Sequence, residues 1–159
     1  MGQKTLIYSA KLKANLNESL KHLQRLKIAF CELEKEFTFP INKNAYQQIL
    51  LSNQYLAYTD QLIYRFSKLQ DCMGAKLFKA ILLYEGENTD KSFLDILNAL
   101  EKMNIINVEE WFELRDLRNE IAHDYEDSDN FVIDVLNKIY LLQTDLEKIL
   151  VSIDARHSI

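Results

Sequence analysis

"LKANLNESLKHLQRLKIAFCELEKEF", residues 12–37, carries apolar side chains at Leu12, Leu16, Leu20, Leu23, Leu26, Phe30, Leu33 and Phe37. Steps of three and four draw a single apolar stripe down one face of a helix. The rest of the chain agrees with a helical reading. Three glycines and one proline in 159 residues leave little turn chemistry for hairpins, and good helix formers such as Leu, Lys and Glu abound. With 48% apolar residues the chain can bury a core without disulfides or metals, so the expectation is one all-α domain spanning residues 1–159.

Working outward, Pro40 is expected to end the first helix. A second long helix is expected from a cap at Asn42 or Asn44 to about Gly86, bending at Gly74. After the loop "GENTDKS", Thr89 or Asp90 caps a short third helix with Phe93, Ile96, Leu97 and Leu100 on one face. Asn107 caps a fourth helix, whose first turn holds Glu109 and Glu110 against the dipole. A last helix, from about Phe131 to Ile153, turns Val132, Val135, Leu136, Ile139, Leu142 and Leu146 inward. The expectation is thus a bundle of about five helices, the first and second long.

Cys31 and Cys72 lie far apart without a metal-ligand spacing, which reads as two buried free thiols. The N-terminus lacks a signal-peptide core and no apolar run approaches a membrane span, so a cytoplasmic protein without cofactor or metal is expected. The net charge of −5 argues against general nucleic-acid binding. That sum hides a division: residues 1–83 carry 12 basic and 6 acidic groups (+6), and residues 84–130 carry 4 and 14 (−10). A local basic surface on the first half remains open.

The chemistry concentrates in "ELRDLRNEIAHDY", residues 113–125. At about 100° per residue, with Arg118 at zero, Trp111, Leu114, Leu117, Ile121, Ala122 and Tyr125 fall between about −100° and +40°, the core-facing sector. Arg118 lies inside it. A guanidinium there needs an anion, and Asp71 or Glu120 can supply one in a purely structural role. Arg115, Asn119 and His123 project at about 60°, 100° and 140°, so Arg118 and His123 diverge. Two copies of the helix in a symmetric homodimer can bring both groups to one cleft. Glu120 and His123 also form a Glu-x-x-His element of the kind used in di-iron bundles, but the chain has only one, since neither His22 nor His157 follows a glutamate at that spacing.

Arg118, Asn119, His123 and Tyr125 together resemble the Arg-x4-His-x-Tyr signature of HEPN-domain toxins, in particular the HepT-like partners of minimal nucleotidyltransferases (MNT). The polar residue after the arginine, the context "EEWFELRDLRNEIAHDY", the upstream "YRFSKLQDCMGAKLFKAIL" and the helix order share in the resemblance, which covers most of the chain. The resemblance implies an up-and-down HEPN bundle, dimeric, cutting RNA without a metal, with tRNA the family-level substrate. Arg118 would stabilise the phosphate, His123 would transfer protons, and Asn119 would orient either of them. Tyr125 would accept AMP from the MNT-type nucleotidyltransferase antitoxin, and that added bulk and charge would close the cleft. Positive charge for RNA is expected from Arg65, Lys68, Lys76, Lys79 and Arg115. The alternative is a non-enzymatic, antitoxin-like subunit that docks a nucleotidyltransferase.

Overall fold

The computed structural model describes residues 2–124 and 128–157. Its elements are α1 (Gln3–Glu34), α2 (Lys43–Leu50), α3 (Asn53–Cys72), α4 (Phe78–Tyr84), α5 (Phe93–Lys102), α6 (Val108–Asp124) and α7 (Asp129–Arg156). A π-helical turn, Met73–Leu77, joins α3 to α4 without a break. Counting that pair as one rod, the described residues form 6 helices with no strand.

The residue 12–37 stripe becomes the buried face of α1, where Leu12, Leu16, Leu23, Leu26, Phe30 and Leu33 are all inside. Leu20 is half-buried. The helix nevertheless stops at Glu34, short of Pro40. Phe37 keeps the apolar spacing after the helix has ended, because the turn beyond α1 folds it and Phe39 back into the core. Phe39 stacks on Tyr140 at 4.7 Å and meets Phe30 edge-on at 5.2 Å. Asn137 pins this connection from α7, accepting from Ile41 N at 2.8 Å and donating to Ile41 O at 3.0 Å.

The expected long second helix is two helices. Leu51 is 89% exposed, and Ser52, in an extended conformation, accepts from Tyr55 N through its hydroxyl to start α3 afresh. The long element is therefore the α3–α4 rod, and the second helix is short. Gly74, where a bend was expected, lies in the π turn. A Cβ on Gly74 would come within 3.2 Å of Trp111 Cζ2, so glycine lets α6 approach closely. The rod closes at Gly86, whose φ of 82° suits a residue without a Cβ, and Glu87 N reaches back to Leu82 O at 2.8 Å.

α5 begins at Phe93, capped by Ser92 and not by Thr89 or Asp90. The helix starts where Phe93 first packs on the core. α7 is longer at both ends than the expected Phe131–Ile153, with Ser128 as its cap.

Cross-links along the rods set the topology. Glu18 lies near Lys76, Ser19 near Cys72 and His22 near Arg65, so α1 and the α3–α4 rod run antiparallel. Lys27 pairs with Glu147 and Glu34 with Tyr140, so α7 is antiparallel to α1 and runs in the same sense as α3–α4. At the far end His157 Nε2 and Arg156 Nε meet Glu85 Oε1 at 2.6 and 3.2 Å. α5 and α6 close the remaining side, with Trp111 fully buried against Phe78 at 4.6 Å. None of the helices formed by the described residues is long and apolar enough to cross a membrane.

The Glu85 contacts make one pH prediction. Burial pushes the Glu85 carboxyl up, but hydrogen bonds and charge from His157 and Arg156 outweigh it and hold the group below its ordinary 4.5. A depressed folded pKa stabilises fully above the unfolded value and is lost as pH falls through the folded one. Denaturation midpoints measured from about pH 6 down to about pH 3 should therefore fall less steeply in Glu85→Gln than in the parent.

Candidate functional site

α6 carries most of the candidate residues, and its start is well specified. Glu110 N donates to Asn107 Oδ1 at 3.0 Å, and Val108 N donates to Glu101 Oε2 at 2.8 Å. From there Trp111, Leu114, Leu117 and Ile121 are buried in sequence, one apolar line on the core side. Ala122, expected on the same face, is exposed. It sits at the edge of the calculated sector, where no neighbouring helix covers it.

Arg118 is half-buried and takes the anion its position demands. Its Nε donates to Asp71 Oδ1 at 2.8 Å and its Nη2 to Asp71 Oδ2 at 2.9 Å, a fork that fixes the guanidinium plane against α3. Of the two carboxylates considered, Asp71 and not Glu120 is the partner. The hydrogen bond to Asp71 raises the Arg118 pKa further, against the cost of burial. The arginine remains a cation at any working pH.

Asn119 and His123 are both exposed and lie one turn apart. With Asp116 and Glu120 they line a shallow surface hollow of about 340 Å³. Arg118 is not part of that hollow, so within one chain the arginine and the imidazole address different surfaces of α6. The neighbouring hollow between α6 and α7 shares Asp116 and Glu120 and includes Leu141, which is 73% exposed. Tyr125 lies outside the described residues. Among those residues no group of three or more His, Cys, Asp or Glu side chains is placed to hold a metal ion.

The cations expected to attract RNA are dispersed. Arg65 Nη1 donates to His22 Nδ1 at 3.0 Å, and Arg65 and Lys68 both stand over the Tyr64 ring, at 5.4 and 5.7 Å. Burial, then the charge of Arg65, holds the His22 pKa below its ordinary 6.5, so Nδ1 stays an acceptor. Lys76 pairs with Glu18 across to α1 at 3.5 Å. Lys79 and Arg115 instead share a cleft between α3, α5 and α6.

That cleft, of about 360 Å³, is also lined by Gln70, Asp71, Gly74, Ala75 and Phe93. Arg115 lies over the Phe93 ring at 5.0 Å. Asp71 connects the cleft to Arg118, because the same carboxylate lines one and grips the other. Gln70 was not singled out from the sequence, and Phe93 was expected only on the apolar face of its helix. Gln70 had a signal, a neutral amide at a buried position of the rod, but only the packing tells which neighbours it lacks.

The thiols separate as well. Cys31 is exposed, contrary to expectation, since it falls beside the apolar line of α1. Cys72 is buried among Ser19 Oγ at 3.3 Å and Glu18 Oε2 at 3.2 Å, and burial pushes its thiol up to about 11. It therefore stays protonated and is a poor nucleophile.

The chain is thus an all-α protein with a fork-held arginine behind a cationic cleft and an exposed imidazole farther along the same helix. No protein-family model, curated protein or solved structure was found to match it.

Proposed function

We propose that this chain is a HEPN-type, HepT-like toxin with the up-and-down bundle of that family. On this reading it is a metal-independent endoribonuclease that works as a homodimer and is silenced when an MNT-type nucleotidyltransferase adds AMP to Tyr125. The single observation that carries the reading is the division of labour on α6. Arg118 is oriented by Asp71, while Asn119 and His123 stand together on the exposed side. The exposed Leu141 beside the His123 hollow supports a second copy as the covering surface, because a large isolated apolar side chain there gains by burial.

The chemistry needs no metal. The ribose 2′-hydroxyl attacks its own adjacent phosphorus and loses its proton to a base. The bond from phosphorus to the 5′-oxygen breaks, and that oxygen takes a proton. The products are a 2′,3′-cyclic phosphate and a 5′-hydroxyl, and DNA, without the 2′-hydroxyl, is not a substrate. His123 serves as acid or base, Asn119 orients it or the phosphate, and Arg118 offsets the charge growing on the phosphoryl oxygens.

A second reading has its own observation. Asp71 already satisfies Arg118, so the arginine can serve structure alone in a subunit that merely docks a nucleotidyltransferase. Expression in bacteria separates the two. Wild-type chain should arrest growth and cut RNA, and Arg118→Ala and His123→Ala should each relieve the arrest while remaining folded. Coexpression with the partner should add AMP to the chain by mass, and Tyr125→Phe should abolish the addition. Harmless wild-type expression with intact RNA hands the case to the docking subunit.

Asp71→Asn sharpens the contrast. The pair is partly exposed, at 28% and 44% of the two side chains, so its loss should cost only about 1 kcal/mol of stability. In the ribonuclease reading Asp71 positions Arg118, and Asp71→Asn should slow cleavage about tenfold without weakening RNA binding. In the docking reading only the melting temperature changes.

A further inference from the structure

Beside Arg118 the α3–α5–α6 cleft holds a side chain with nothing to do. Gln70 is only 5% exposed, lines the cleft, and its amide makes no hydrogen bond to any other described residue. Neither amide atom is among the fully enclosed side-chain atoms left without a partner, so its two donors and its acceptor face the open cleft, where a ligand can take them in place of water. The same cleft is lined by the Phe93 ring, with the Arg115 guanidinium over it at 5.0 Å, and by the exposed Lys79.

We propose that this cleft is a subsite for one unpaired RNA base next to the cleaved bond, with Phe93 and Arg115 as the stacking wall and Gln70 reading the base edge. The proposal rests on the ribonuclease reading for its substrate. A planar heterocycle suits both surfaces: it stacks on an aromatic ring or a guanidinium plane, and its edge presents a donor beside an acceptor, the complement of a glutamine amide. A bare phosphate suits them less. Asp71 lines the cleft and repels an anion, and Ala75 and Phe93 make part of its wall apolar. Lys79 meets the backbone phosphate that accompanies the base. The place is also apt. Arg115 is three residues before Arg118 on α6, about 4.5 Å along the axis, and Asp71 both lines the cleft and grips Arg118, so the base held here flanks the phosphate that Arg118 meets.

The test uses His123→Ala chain, which leaves RNA uncut, and fluorescein-labelled heptaribonucleotides of A, C, G or U read by anisotropy. One homopolymer should bind at least about tenfold tighter than the weakest. Adding Gln70→Leu should erase that preference, and adding Arg115→Ala should weaken all four about tenfold. Circular dichroism checks that both remain folded. Should Gln70→Leu fail to fold, Gln70→Glu keeps the size, loses the donor and should change which base is favoured. Equal binding of the four homopolymers by the parent, or binding and preference unchanged in the Gln70 and Arg115 variants, overturns the proposal. The two readings fail separately. If RNA is cut but base preference ignores Gln70 and Arg115, the cleft falls and the ribonuclease stands. If nothing is cut yet Gln70-dependent preference persists, the ribonuclease falls, the place beside a cleaved bond falls with it, and base reading by the cleft stands. Absence of both cutting and binding sinks the two together.

Discussion

On the ribonuclease proposal, His123→Ala should slow RNA cleavage by about 10²–10⁴-fold, the usual worth of one positioned proton-transfer group. The imidazole is exposed on the surface of α6, so stability should stay within about 0.5 kcal/mol of the parent and the two effects are easily told apart. Mixed dimers add a stricter result. Arg118 and His123 face different surfaces of one α6, and the proposed cleft combines the arginine of one copy with the histidine of the other. Arg118→Ala chains and His123→Ala chains should each be strongly slowed alone. Mixed, they should form a dimer with one fully equipped site and one doubly empty site, so about half of the activity per mixed dimer should return. Were each chain to supply both groups to its own site, mixing would restore nothing. Purified chains with different tags, mixed after partial denaturation and assayed on labelled RNA, give the answer.

Trp111→Ala should lower stability by about 3–5 kcal/mol, a large share of the roughly 5–15 kcal/mol that holds a domain of this size together. The indole is fully buried, lies edge-on to Phe78 at 4.6 Å, and fills the space that Gly74 leaves open. Its loss leaves a hole where α4 and α6 meet the π turn. The indole Nε1 is buried without a hydrogen-bond partner among the described residues, so the loss is packing. Trp111→Phe, which keeps a ring and removes the unmet donor, should therefore cost much less. Urea midpoints of the two variants and the parent measure the difference.

These two effects draw on different levels of information. The helical class, the inward faces of α1, α6 and α7 and the cap at Asn107 were legible in the chain, because each depends on residues within a turn or two of one another. Where local signals were weak the reading slipped. "LLSNQ" looks like continuous helix, yet Ser52 caps a new one, because α2 and α3 pack on different neighbours and Leu51 is left in solvent. Phe37 extended the apolar count of α1 past its true end, since a periodic count cannot tell a helix from a chain that turns and stays inside.

At the candidate site the same boundary runs through Arg118. Its sequence position placed it in a core-facing sector, and elementary electrostatics demanded an anion for it. Which anion depended on a residue 47 positions away, Asp71, brought near by the packing of α3 on α6. Gln70 and Phe93, separated along the chain, share a cleft for that same reason. The amino-acid sequence by itself determined the helical class, the buried face of each main helix and the candidate chemistry on α6, because helical periodicity and capping are local. The tertiary structure alone decided the fork to Asp71, the dispersal of Arg65, Lys68 and Lys76, and the cleft beneath Arg115. Those depend on how rods cross, which many distant contacts set jointly.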